Sequence, residues 1–224
     1  MDKRFAHRYQ FTGSYAYQDS KSINDIGLNL NNYFASYGPD QPKHVLNISG
    51  IVDLKWGIQF SLLSALTSPQ PVEPYIAGAD PTGTNFGRTD GPASGPYAPL
   101  PGEQYNGWLT QSGLRNLVTS YNSKIAGTKD PYGNVYPAIA LPSHFNLGHD
   151  FTSQDIRLTK SFKIREKYEF RIIAEGFNIF NFGNLTGDNF NLLNPAFGQP
   201  TQRVSSTFGS GGPRAFQFAG RFQF

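Results

Sequence analysis

Pro213-Arg214-Ala215-Phe216-Gln217-Phe218-Ala219-Gly220-Arg221-Phe222-Gln223-Phe224 is the stretch whose pattern decides the fold. Phe216, Phe218, Phe222 and Phe224 fall on even positions, and Ala215, Gln217, Ala219, Arg221 and Gln223 on odd ones. Successive side chains of a strand point to opposite faces, so this segment reads as a strand with one aromatic face and one small, polar or charged face. Two environments suit that pattern: a sheet with one face on a core, or a membrane barrel with lipid outside and water inside.

Outward from this stretch, the same period of two recurs. Near 4–17, Phe5, His7, Tyr9, Phe11, Tyr15 and Tyr17 alternate with Arg4, Ala6, Arg8, Gln10, Thr12 and Ser14, which predicts one long strand. Further strands are expected near 43–53 and 56–66, joined as a hairpin, and near 150–162 and 167–181, joined by the polar turn Lys163–Lys167. With 213–224 this makes about six strands. Lys160 falls out of pattern on the apolar face and is expected to snorkel. Loops are expected over 18–42, 67–148 and 183–212, each rich in Gly, Pro, Asn, Asp or Ser. One helical island is expected within 67–148, where Leu114, Leu117, Val118, Tyr121 and Ile125 keep 3–4 spacing, with Ser112 as its cap.

Composition narrows the class. The 224 residues are 38% hydrophobic and 15% aromatic, with Phe 19 and Tyr 12, and no apolar run approaches the roughly 20 residues of a spanning helix. The absence of Cys removes disulfides, thiol catalysis and Cys-based zinc sites. A net charge of +3 gives a nucleic-acid partner little support. The N-terminus shows no apolar signal segment, which fits either a cytoplasmic chain or a piece whose start lies upstream.

Chemistry is sparse. His144, His149 and Asp150 lie at the end of a long loop, too few and too loosely spaced for a metal site. There is no G-x-S-x-G elbow, and Gly209-Ser210-Gly211-Gly212 precedes no helix that could hold a phosphate. No catalytic residue, metal ligand or cofactor is therefore assigned, and the chain is read as a non-enzyme. What the pattern does offer is a charged face: Arg4, Arg8, Asp155, Arg157, Glu169, Arg171, Glu175 and Arg221 share the polar side of their strands. Arg157 and Glu175 are expected to meet across the 163–167 turn. On a barrel these charges line a wet lumen; on a sandwich they are solvated outer-face charges.

The connections alternate long and short, which places the short turns on one side and the long loops on the other, as in outer-membrane barrels. Ile156-Arg157-Leu158-Thr159-Lys160-Ser161-Phe162, Glu175-Gly176-Phe177-Asn178-Ile179-Phe180-Asn181, Phe197-Gly198-Gln199-Pro200 and the Pro213–Phe224 run together resemble the C-terminal end of TonB-dependent outer-membrane receptors, the large Oar-like kind above all. The resemblance implies an all-β fold: residues 1–224 as an antiparallel transmembrane segment of a barrel of about 22 strands, with long extracellular loops. It also implies non-catalytic, TonB-driven uptake of a nutrient in the bacterial outer membrane. The partners would be outer-membrane lipid, the barrel-assembly machinery, the TonB complex and a transported ligand. Phe216, Phe218, Phe222 and Phe224 would face lipid, and Phe224 would belong to the assembly signal. The plug and the TonB-contacting segment of that family have no counterpart in this sequence. The alternative is a soluble all-β module that binds a ligand such as a carbohydrate, or serves a structural role.

Overall fold

The computed structural model describes all residues except 24–36, 73, 75, 77–109, 130–132, 165–166 and 207–210. Parts of all three expected loops lie outside the described residues, as do the prolines at 81, 92, 96, 99 and 101 and the middle of the 163–167 turn.

Seven strands form one antiparallel sheet: β1 (Asp2–Ala6), β2 (Tyr9–Tyr17), β5 (His44–Asp53), β6 (Ile58–Thr67), β7 (Phe151–Ile164), β8 (Tyr168–Phe177) and β11 (Ala215–Gln223), in that spatial order. Two short ribbons stand apart from it, one of β3 (Lys21–Ile23) with β4 (Tyr37–Pro39), the other of β9 (Leu185–Thr186) with β10 (Gln202–Arg203). The helix α1 spans Gln111–Lys124.

Local chemistry sets the strand limits. The expected single strand over 4–17 is two strands, because His7 and Arg8 both adopt positive φ (54° and 74°) and turn the chain back on itself. Trp56 and Gly57 do the same between β5 and β6 (φ 61° and 69°). A Cβ on Gly57 would stand 2.9 Å from the Ser161 carbonyl oxygen, so the turn needs glycine for space as well as for conformation. Strand β8 stops at Phe177 rather than near 181, because Asn178 (φ 44°) leaves the extended region and asparagine tolerates that conformation. The N-cap of α1 is Thr110, whose side chain accepts from the Gly113 N–H at 3.0 Å, not Ser112.

Register separates the two faces. Ile156 pairs with Gly176, Leu158 with Ala174 and Phe162 with Phe170, while Phe216, Phe218 and Phe222 pair with Gly176, Ala174 and Phe170. Through β6, β5 and β2 the same face carries Phe60, Leu62, Leu46, Ile48, Phe11 and Tyr15. The opposite face carries Thr12, Ser49, Ser61, Asp155, Arg157, Glu175 and Gln217. Lys160 lies on the aromatic face; its Nζ donates to the Trp56 carbonyl and sits 5.1 Å from the centre of the Phe162 ring.

The packed core lies outside the sheet. Ile76, Leu114, Val118, Tyr121, Tyr136, Ile139, Phe145, Leu192 and Phe197 form one buried cluster, built from α1 and the long connections. Leu114, Val118 and Tyr121 repeat at the spacing that puts one helical stripe on a core. Phe197 meets Phe145 and Phe190 edge to face.

The sheet does not close into the barrel that the sequence led one to expect. A barrel needs its first and last strands to pair, whereas β1 and β11 stand at opposite edges of an open sheet. Among the described residues both edges stay open and leave rows of unpaired backbone donors and acceptors, which a hydrocarbon environment does not tolerate. The transmembrane segment, the extracellular placement of the loops, the outer-membrane location and the role in nutrient transport all depended on closure and are withdrawn. So are outer-membrane lipid, the assembly machinery, the TonB complex and a transported ligand as partners. No described helix is long and apolar enough to cross a membrane.

Tyr121 offers a test of the loop core. Its hydroxyl donates to the Pro137 carbonyl at 2.7 Å, and burial, aided by neighbouring Tyr136, pushes its pKa up to about 12. The folded state therefore holds a proton that the unfolded chain releases near pH 10. Stability from this group is intact below pH 10 and falls as pH rises toward 12, by on the order of 2–3 kcal/mol. Tyr121→Phe should cost about 1 kcal/mol at neutral pH through the lost hydrogen bond. In urea titrations it should also flatten the decline between pH 10 and 12 relative to the parent.

Candidate functional site

The charged face gathers most of the residues singled out in the sequence. A depression of about 390 Å³ opens on it, lined by side chains that include Gln10, Thr12, Ser49, Ser61, Asp155, Arg157 and Glu175, with Ile51, Leu63 and Phe177 between them. Each strand contributes alternate residues, so the polar groups arrive at intervals of two along the chain and one strand spacing across it. A second depression of about 360 Å³, lined by Arg8, Asp53, Gln59, Thr159, Ser161, Lys163, Glu169 and Arg171, includes further residues of the same strands, nearer the short turns.

Arg157 and Glu175 stand directly opposite each other on β7 and β8, and both Nε and Nη2 of the guanidinium reach Glu175 Oε1 at 2.6 Å. The arginine side chain is 56% exposed and the glutamate 13%, so the carboxylate is held from below while the guanidinium still faces solvent. Asp155 is committed to structure: its Oδ1 accepts from Ser153 Oγ at 3.1 Å and from the Asn178 N–H at 2.8 Å. Glu169 and Arg171, two apart on β8, form a forked pair with Nε–Oε1 at 2.9 Å and Nη2–Oε2 at 2.8 Å. The hydrogen bond from Arg171 holds the Glu169 carboxyl below the ordinary glutamate range, against the opposing effect of desolvation, with Ser161 and Lys163 acting in the same direction as the arginine.

Not every expected residue reaches this surface from a strand. Arg8 sits in the turn after β1, and its Nη2 donates to the Leu54 carbonyl at 2.7 Å, so it ties two turns together instead of projecting from a strand face. Arg4 lies on β1, whose pairing shifts register between Lys3 and Ala6. Arg221 lies on the charged face of β11, opposite Arg171. Phe216, Phe218 and Phe222 project from the other face and are exposed, Phe218 to 78%. Phe224 follows the last paired residue and is almost wholly exposed. With no barrel, the lumen role of the charges and the lipid-facing and assembly roles of these phenylalanines have no structural basis.

Sequence reasoning missed two features. Gln10, Thr12, Ser49 and Ser61 fall within the expected strands with no site role of their own, although their regular alternation is visible in the sequence. The other is an asparagine clamp. Asn178 Nδ2 donates to the Phe182 and Gly212 carbonyls, its Oδ1 accepts from the Phe182 N–H, and Asn184 bonds both the N–H and the carbonyl of Thr152 and the carbonyl of Gly211. Asn178, Asn181 and Asn184 all have positive φ and recur every third residue, a spacing legible in the sequence. His149 Nε2 lies 3.0 Å from Asp188 Oδ1, an isolated loop pair; among the described residues no group of three or more potential metal ligands assembles.

No family model matches the chain, and comparisons with curated proteins and with solved structures return no match. The likeness to TonB-dependent receptors is corrected by the open sheet itself, since the motifs that suggested it serve other ends: Asn178 and Asn181 end a strand, and Phe197 fills the loop core.

Because Glu169 is ionised more readily when folded, its contribution is present above the ordinary glutamate pKa and lost as pH falls through the lower folded value. A carboxyl-carbon NMR titration should place its midpoint below that of a model glutamate. Arg171→Gln should raise it toward the model value, and Ser161→Ala should raise it less.

Proposed function

We propose that the chain is a non-catalytic all-β binding module whose polar sheet face takes a neutral, polyhydroxylated ligand of the oligosaccharide class. The observation that carries this reading is the 390 Å³ depression, where a pre-paired Arg157–Glu175 unit stands among hydroxyl and amide side chains. A paired guanidinium and carboxylate present donors and an acceptor without a strong net charge, which favours a ligand with many hydroxyls over an anion or a cation. Ile51, Leu63 and Phe177 supply apolar patches against which the C–H face of a sugar ring can rest.

Catalysis is not assigned, because the candidate acid–base groups are already engaged. Asp155 accepts two structural hydrogen bonds, and Glu175 is held by Arg157. An acid or nucleophile would need a free, tunable carboxyl. Most exposed aromatics project from the opposite face, so stacking on a broad aromatic platform is not the mode supported here.

The test is a heteronuclear NMR titration of the chain with a panel of neutral oligosaccharides. Shifts should localise to Ser49, Ser61, Arg157 and Glu175, with a Kd between about 10 μM and 1 mM, and Arg157→Ala should weaken binding roughly tenfold. Absence of shifts across the panel, or shifts confined to the Phe216 and Phe218 face, would overturn the assignment.

A further inference from the structure

The two edges of the sheet differ in kind. Strand β1 is five residues long, carries Asp2, Lys3 and Arg4, and breaks register between Lys3 and Ala6. Short length, charge and irregular pairing are the usual devices that keep an edge from accepting another strand. Strand β11 has none of them. It pairs with β8 over nine consecutive residues without a bulge, holds no Pro, Lys, Asp or Glu, and carries Arg221 as its single charge. Among the described residues nothing pairs with its outer edge.

We infer that β11 is a strand-addition site whose occupant is the β11 of a second copy, paired antiparallel about a two-fold axis at Ala219. An antiparallel pair keeps faces matched only when the axis passes through a residue. The axis at Ala219 uses all nine residues of the strand. Phe216 then stands opposite the partner's Phe222, and Phe218 opposite the partner's Gly220, so each bulky ring is matched with a ring or with open space. On the polar face Gln217 stands opposite the partner's Arg221, and Ala215 opposite the partner's Gln223. Shifting the axis to position 221 would instead place Arg221 against the partner's Arg221. That is the costliest neighbour available, since Arg221 already faces Arg171 on β8. About Ala219 the strand is thus self-complementary on both faces over its full length, whereas β1 offers no match of comparable length. The resulting continuous sheet leaves the polar depression uncovered on each copy, because its lining residues reach no closer to the edge than β8.

The absence of cysteine makes the register directly testable. In the full 224-residue chain, Ala219→Cys places one thiol opposite its own counterpart, within reach of a disulfide under mild oxidation. Lys3→Cys on the other edge is the control. Sedimentation equilibrium should show a reversible dimer, and non-reducing gels should show a covalent dimer for Ala219→Cys and a monomer for Lys3→Cys. Gln217→Arg should keep the fold, because Glu175 faces that position on β8. It should nevertheless weaken dimerisation roughly tenfold through two symmetry-related contacts with the partner's Arg221. A monomer at all concentrations, equal cross-linking from both edges, or an unchanged dimer in Gln217→Arg would each overturn the inference.

Discussion

The unbroken register across β5, β6, β7, β8 and β11 is the constraint on which the other features rest. A slip of one residue at any of these pairings would exchange the two faces for every strand beyond it. With the register kept, serines, threonines and charges from five strands converge on one surface and aromatic rings on the other. The depression exists because Ser49, Ser61, Asp155, Arg157 and Glu175 are in step, not because any one of them is unusual.

What holds that register at the end with the long connections is largely polar. Gly211 donates its N–H to Ser153 Oγ at 3.0 Å, and Asn184 bridges Thr152 to the carbonyl of the same glycine. These contacts fix the start of β7 against the segment that leads into β11. Asn178, fully buried, joins the end of β8 to the same segment. Buried amides with satisfied donors and acceptors define a single arrangement more strictly than apolar contacts do. The cluster around Leu114, Tyr121 and Phe197 supplies the apolar burial that the sheet faces lack, since no strand residue of the seven-stranded sheet belongs to the buried hydrophobic set.

Much of this architecture was legible in the sequence, and the reason for the error is equally physical. Period-two alternation identified which residues share a face, and the spacing about the 163–167 turn was enough to bring Arg157 to Glu175. Closure was not legible, because alternation is identical in an open sheet, a sandwich and a barrel. The segregation of short turns from long loops did not discriminate either. An up-and-down antiparallel order places alternate connections at alternate ends in an open sheet as much as in a barrel, so the segregation of loop lengths does not establish closure. The break at His7 and Arg8 was also hidden, since non-glycine residues at positive φ leave no compositional mark. The polar depression was partly visible: its charges and the alternation of its hydroxyls were, its apolar lining was not.

An open sheet keeps its two edge strands far apart, and the distance between them can be measured. Spin labels on a Lys3→Cys, Gln217→Cys double variant, diluted with unlabelled chain to suppress intermolecular pairs, report that distance by pulsed dipolar spectroscopy. Six intervals of about 4.8 Å separate β1 from β11 along the sheet, so the separation should centre between roughly 20 and 30 Å, the lower value allowing for curvature. A distribution centred below about 12 Å would place the two edges side by side, as paired neighbours about 5 Å apart between strands require, and would mean that the sheet is closed.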